Sequence, residues 1–98
     1  METTVTVINV LDVDAERQGA LVALLDEGTE QVVRHRPGFV SVTLLASHDG
    51  ARVVNLAQWR SLEDVRAAFA DPAVQDYARR AADLADASPH VYSVVARH

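Results

Sequence analysis

The chain has 98 residues, 49% of them hydrophobic, and a net charge of −5. That is one globular domain over residues 1–98, burying roughly 60–65% of its unfolded surface around one small core. With no cysteine, and with arginine as every one of its nine basic residues, it cannot use disulfides, thiolate chemistry or a Schiff-base lysine, and the interspersed charges exclude the basic face of a nucleic-acid binder.

The N-terminal stretch METTVTVINV lacks the basic segment of a leader, and no apolar run approaches the ~18 residues of a membrane span. The expectation is a cytoplasmic protein with no membrane partner. Residues 4–11, TVTVINVL, are rich in β-branched side chains and predict the first strand. Asp12 or Asp14 can cap the segment that follows, where Leu21, Leu24, Leu25, Val32 and Val33 recur at helical spacing with Gly28 between them. Arg36-Pro37-Gly38 ends that helix. Phe39 to Ser47 and Ala51 to Arg60 predict two strands joined by His48-Asp49-Gly50, the Asp-Gly pair supplying the positive φ angles of a hairpin.

Ser61 with Asp64 has the spacing of a capping box, opening a helix that carries Val65 and Phe69 inward. Asp71-Pro72 restarts the helix, and Val74, Tyr77, Ala78, Ala81 and Leu84 continue its apolar stripe. Ser88-Pro89 reads as its end, and Val91 to Arg97 as the fourth strand. The order βαββαβ is the ferredoxin-like α+β arrangement, a four-stranded antiparallel sheet with helices on one face. Alternation along the strands leaves apolar residues on the other face too: Val54 and Leu56 oppose Val53 and Ala57, and Phe39 and Leu45 oppose Val40, Val42 and Leu44. A sheet apolar on both faces packs on another sheet, most economically that of an identical chain, so a homodimer is expected.

The glycines form no nucleotide-binding pattern, the four histidines have no metal-ligand spacing, and no serine sits in a nucleophile elbow. Two polar residues stand out in strand three. Asn55 and Trp59 share a face, about 13 Å apart along the strand. In an apolar layer under the helices they would be fixed hydrogen-bonding groups for a flat ligand. Equally, Trp59 can anchor the core with its N–H on a backbone carbonyl, and Asn55 can satisfy a bulge or loop. Asn9 of strand one can line the same layer or serve the strand's end, and Arg79 can reach over it or stay in solvent.

The segment PGFVSVTLLASHDGARVVNLAQWRSLEDVRAAFADP, residues 37–72, resembles the antibiotic biosynthesis monooxygenase family of dimeric α+β barrels. The resemblance lies in Pro-Gly-Phe opening strand two, the Ser-x-Asp-Gly hairpin, the Asn-x-x-x-Trp of strand three and the Ser cap after it. It is strongest to the family's cofactor-independent anthrone-oxidising members. It implies an enzyme that oxidises a small polycyclic phenol or anthrone to a quinone, with dioxygen as co-substrate and no flavin, haem or metal. Asn55 and Trp59 match the family's substrate contacts and Arg79 its proton-delivering arginine. The family's tyrosine early in the second helix falls on Val65, so either Tyr77 or Tyr92 takes its part or the chemistry differs. Asn9, Val65, Phe69, Tyr77 and Tyr92 are the candidate substrate-binding residues. The haem-degrading branch needs a tryptophan and a histidine near Ala68 and Ala78, which this chain lacks. Two other functions share the fold: a cyclase or isomerase working without dioxygen, and a non-catalytic small-molecule-binding protein.

Overall fold

A computed structural model describes residues 4–98. The first three residues, part of the stretch read as having no leader, lie outside the described residues. The elements are β1 (Val5–Val13), α1 (Gln18–Gln31), β2 (Phe39–Ala46), β3 (Arg52–Trp59), α2 (Leu62–Ala70), α3 (Pro72–Ala82) and β4 (Ala85–Tyr92). The sheet order is β2-β3-β1-β4 and every neighbouring pair is antiparallel, the ferredoxin-like topology expected.

Local chemistry sets most boundaries. Asp14 makes no side-chain cap; a short turn at Ala15–Arg17 precedes α1, and the Gln18 amide donates to the carbonyls of Ser47 and Arg52 across the hairpin. In that hairpin Gly50 alone takes a positive φ, while the Asp49 carboxylate accepts from the Ser47 hydroxyl and the Ala51 N–H. Ser61 caps α2 by accepting from the Asp64 N–H at 3.1 Å, and Asp64 answers through the Ser61 hydroxyl rather than its backbone.

Asp71 caps α3, accepting from the N–H groups of Ala73 and Val74 and from the Arg36 guanidinium. Desolvation raises its pKa, but those N–H groups and Arg36 outweigh that and hold the carboxyl below its ordinary 3.8. A folded-state pKa below the unfolded one gives stability that is complete above about pH 3.8 and is lost as pH falls through the folded value. Asp71→Asn, which keeps a capping oxygen without the charge, is therefore expected to unfold at lower urea than the parent at neutral pH. The gap should close in strong acid, as urea titrations at descending pH would record.

Two strand expectations are corrected as well. Strand four is not Val91 to Arg97: β4 starts at Ala85, runs through Ser88-Pro89 and ends at Tyr92. Pro89 pairs opposite Asn9 on the outermost strand, where a residue without an N–H can face the open edge. Nor does Phe39 oppose Val42. The β2–β3 register shifts between Phe39 and Ser41, and this bulge turns Phe39 to the helix side with Val42 and Leu44. There its ring meets Trp59 edge-on, with centroids 5.7 Å apart.

Between sheet and helices the core forms two clusters. One holds Val7, Ala57, Trp59, Val65 and Ala68; the other holds Leu11, Leu21, Val53, Ala81 and Ala85. The register puts Ile8, Val10, Val54 and Leu56 together on the opposite, helix-free face, with Leu45 beside them at 49% exposure.

Candidate active site

A cavity of about 220 Å³ opens between the sheet and the helices, walled by residues of both core clusters. Small side chains make the room: Gly28 on α1, Ala57 on β3, and Ala68, Ala78 and Ala81 on the helices α2 and α3. The remaining wall is largely aliphatic and aromatic, with Leu24, Leu25, Val74 and Phe69 among its members.

Asn55 and Trp59 both line it, since the β3 register turns them toward the helices beside buried Val53 and Ala57. The amide oxygen of Asn55 and the indole nitrogen of Trp59 are buried, and neither has a hydrogen-bond partner among the described residues. The indole N–H does not reach a backbone carbonyl and the Asn55 oxygen serves no bulge or loop. A buried unpaired polar group costs about 1–3 kcal/mol, and the few found in a native protein call for a reason. The third such atom, Nε of Arg36, belongs to the ion pair with Asp71, and Arg36 does not line the cavity.

The other sequence candidates divide. Asn9 lines the cavity, yet its amide oxygen accepts from the Ser88 N–H at 3.0 Å, tying β1 to the edge strand and leaving its NH2 group for other partners. Phe69 and Tyr77 are wall residues. Val65 is 2% exposed in the core cluster around Trp59 and does not reach the cavity. Tyr92 pairs opposite Thr6 near the sheet's end, half exposed and outside the cavity. Arg79 is exposed on α3 with its guanidinium 3.4 Å from Asp76; it is not brought to the cavity.

The surroundings of Tyr77 have no local signal in the sequence. Its ring lies against Gly28, where a Cβ would come within 3.0 Å of it. Its hydroxyl donates to the Glu27 carboxylate at 3.0 Å, and the Arg80 guanidinium lies 4.6 Å from the ring centroid. The apolar spacing of α1 marked Gly28 as a gap without showing which ring fills it.

A second, shallower depression, about 470 Å³, is edged by Asp12, Asp14, Asp83 and Asp86. Among the described residues no group of three or more histidine, cysteine or acidic side chains is placed to hold a metal ion, and no helix is long and apolar enough to cross a membrane.

The sequence pattern of the antibiotic biosynthesis monooxygenase family matches residues 4–80. The chain belongs to the antibiotic biosynthesis monooxygenase family. Within this family it is 51% identical over 77 residues to the tetracenomycin-F1 monooxygenase of Streptomyces glaucescens, a match covering 76% of this chain and 69% of that one. Among solved structures it is similar to a monooxygenase from the ActVA-Orf6 gene of Streptomyces coelicolor, in complex with nanaomycin D. That match has a TM-score of 0.88 at 29% identity, over 99% of this chain and 92% of the other. SnoaB, a cofactor-independent oxygenase from Streptomyces nogalater, shares the fold at a TM-score of 0.78 and 23% identity, over 97% and 96% of the two chains. The protein is thus a monooxygenase of this family with a ferredoxin-like fold, as residues 37–72 led us to expect.

Proposed function

We propose that the protein oxidises a flat polycyclic phenol or anthrone to a quinone with dioxygen, without a bound cofactor, in the cavity lined by Asn55 and Trp59. The observation that carries this reading is the pair of unpartnered buried polar groups in a largely apolar cavity. Asn55 offers an acceptor and Trp59 a donor, the complement of a ligand bearing a hydroxyl and a carbonyl on one rigid frame. At about 220 Å³ the cavity is small for a ligand site and limits its occupant to a compact molecule.

The chemistry balances without a cofactor. Loss of a proton from an anthrone methylene gives an enolate whose oxygen carries the charge. Its carbon adds dioxygen to give a peroxide anion, which takes up a proton from solvent; the hydroperoxide then loses water, and a quinone carbonyl remains. One oxygen atom enters the product and the other leaves as water, and the substrate supplies the electrons. The protein contributes position and stabilisation of the developing oxyanion, for which a buried indole N–H is worth more than a solvated donor. Asn55 holds the substrate's hydroxyl. Arg79, exposed and beside Asp76, takes no part within this protomer. The names of the similar proteins, a tetracenomycin-F1 monooxygenase and a cofactor-independent oxygenase, support the reading.

The homodimer belongs to the same proposal. Ile8, Val10, Val54 and Leu56 form an apolar sheet face that no helix of this chain covers, and a second copy would cover it with its own.

Protein stripped of metal and flavin, given a panel of anthrones and naphthols, is expected to form quinone with matching oxygen uptake above that of a heat-denatured control. Product formed without oxygen uptake would instead identify a cyclase or isomerase. Quenching of Trp59 fluorescence with no product at all would identify a binding protein.

A further inference from the structure

Among the described residues, Tyr77 is the one lining the cavity whose side chain ordinarily gains or loses a proton; no acidic, basic or histidine side chain of those residues joins it in the wall. A proton taken from a ligand in this cavity therefore leaves through Tyr77 or through the open mouth. The phenol is not left in apolar surroundings. Tyr77 lines the cavity, and its hydroxyl donates to the exposed carboxylate of Glu27 at 3.0 Å.

Three features hold it there. Gly28 lets the ring lie closer to α1 than any side chain would permit, since a Cβ would stand 3.0 Å from Cγ and Cδ1 of Tyr77. The neighbouring residue, Glu27, thereby meets the hydroxyl. On α3, Arg80 lies over the ring at 4.6 Å and reaches Glu27 at 3.4 Å, a positive charge beside both the phenol and the carboxylate. The charged groups around Tyr77 are thus Glu27 from α1, and Arg80 with its partner Asp76 from α3.

We propose that Tyr77 and Glu27 form the proton exit of the active site. The Tyr77 oxygen accepts the proton lost by the bound substrate as its own proton passes to Glu27, and Glu27 releases it to water. No net charge is stored, and the pair is restored after each turnover. Tyr77 is the catalytic member and Glu27 acts through it. The inference rests on the cavity being the site of the proposed oxidation, and it gives the enolising base a position that Val65 cannot supply.

The test separates proton removal from oxygenation. Under anaerobic conditions, exchange of the methylene hydrogens of a dihydroxyanthrone for deuterium is followed by mass spectrometry, and Trp59 fluorescence quenching reports its binding. The parent is expected to accelerate exchange, and Tyr77→Phe to slow it about 100-fold while binding the probe as before. That variant keeps the ring against Gly28 and removes only the hydroxyl. Glu27→Gln, on an exposed carboxylate, should slow exchange roughly tenfold or more, and Glu27→Asp should recover part of the loss. Exchange by Tyr77→Phe at the parental rate overturns the proposal, and so does a parent that does not accelerate exchange. Loss of probe binding in both Tyr77→Phe and Glu27→Gln overturns it as well, making the pair a structural tie between α1 and α3. Exchange that depends on Tyr77 in a protein that takes up no oxygen would sink the monooxygenase reading and leave the proton exit standing. Normal oxygen uptake by Tyr77→Phe would do the reverse.

Discussion

Trp59→Phe, by removing the oxyanion-stabilising donor, and Asn55→Ala, by removing the acceptor that positions the substrate, should each lower turnover of an anthrone about 100-fold, with little loss of stability. The second half of that expectation distinguishes a working group from a structural one. Trp59 is 1% exposed, and its ring packs edge-on against Phe39 at 5.7 Å. Phenylalanine retains most of that packing while removing an indole N–H that has no partner in the unliganded protein. Deleting an unpaired buried donor relieves a desolvation cost of about 1–3 kcal/mol, which offsets the smaller ring's lost contacts. The same holds for the Asn55 oxygen. A thermal midpoint near the parent's, together with a large fall in kcat, is the pattern of polar groups kept unsatisfied until substrate arrives. A large drop in midpoint with unchanged kcat would mean that both side chains serve the core and that the cavity is not the active site.

Leu56→Arg should convert the protein from two chains to one in sedimentation equilibrium. Leu56 lies beside Ile8 on the sheet face without helices, and its neighbours there include Val54, Val10 and exposed Leu45. Burying an unpaired guanidinium in a two-fold contact costs on the order of 3 kcal/mol, enough to weaken association by about 100-fold. In the proposed two-fold contact each dimer would carry the charge twice. A Leu56→Arg protein that sediments as the parent does, whatever the parent's mass, would remove this face from any dimer interface.

Much of this fold is legible in the sequence because its signals are local. Asp71-Pro72 opens α3 and Ser61 caps α2 through groups within three residues of each other. Failures occur where the deciding contact is distant. Ser88-Pro89 has the local chemistry of a stop, but the strand edge on which it lies is set by β1, and Asn9 accepts the Ser88 N–H there. The bulge that turns Phe39 toward Trp59 depends on the β3 register.

The candidate site follows the same division. Asn55 and Trp59 were visible as polar residues out of place in a strand. Arg79 was assigned through a resemblance along the chain, and the helix instead carries it to solvent beside Asp76. Glu27 was missed because nothing within α1 distinguishes it from the other acidic residues there. Its meaning comes from Tyr77, 50 residues away.

On the proposed function this chain alone, holding no metal or flavin, inserts one atom of dioxygen into a polycyclic phenolic substrate. Turnover of an anthrone under isotopically heavy dioxygen, with mass spectrometry of the quinone, tests it most directly. One heavy oxygen atom is expected per quinone, with one molecule of oxygen consumed for each quinone formed, and quinone forming about 100-fold more slowly in Asn55→Ala. Quinone carrying oxygen from water alone, or turnover that appears only when flavin or metal is restored, would contradict it.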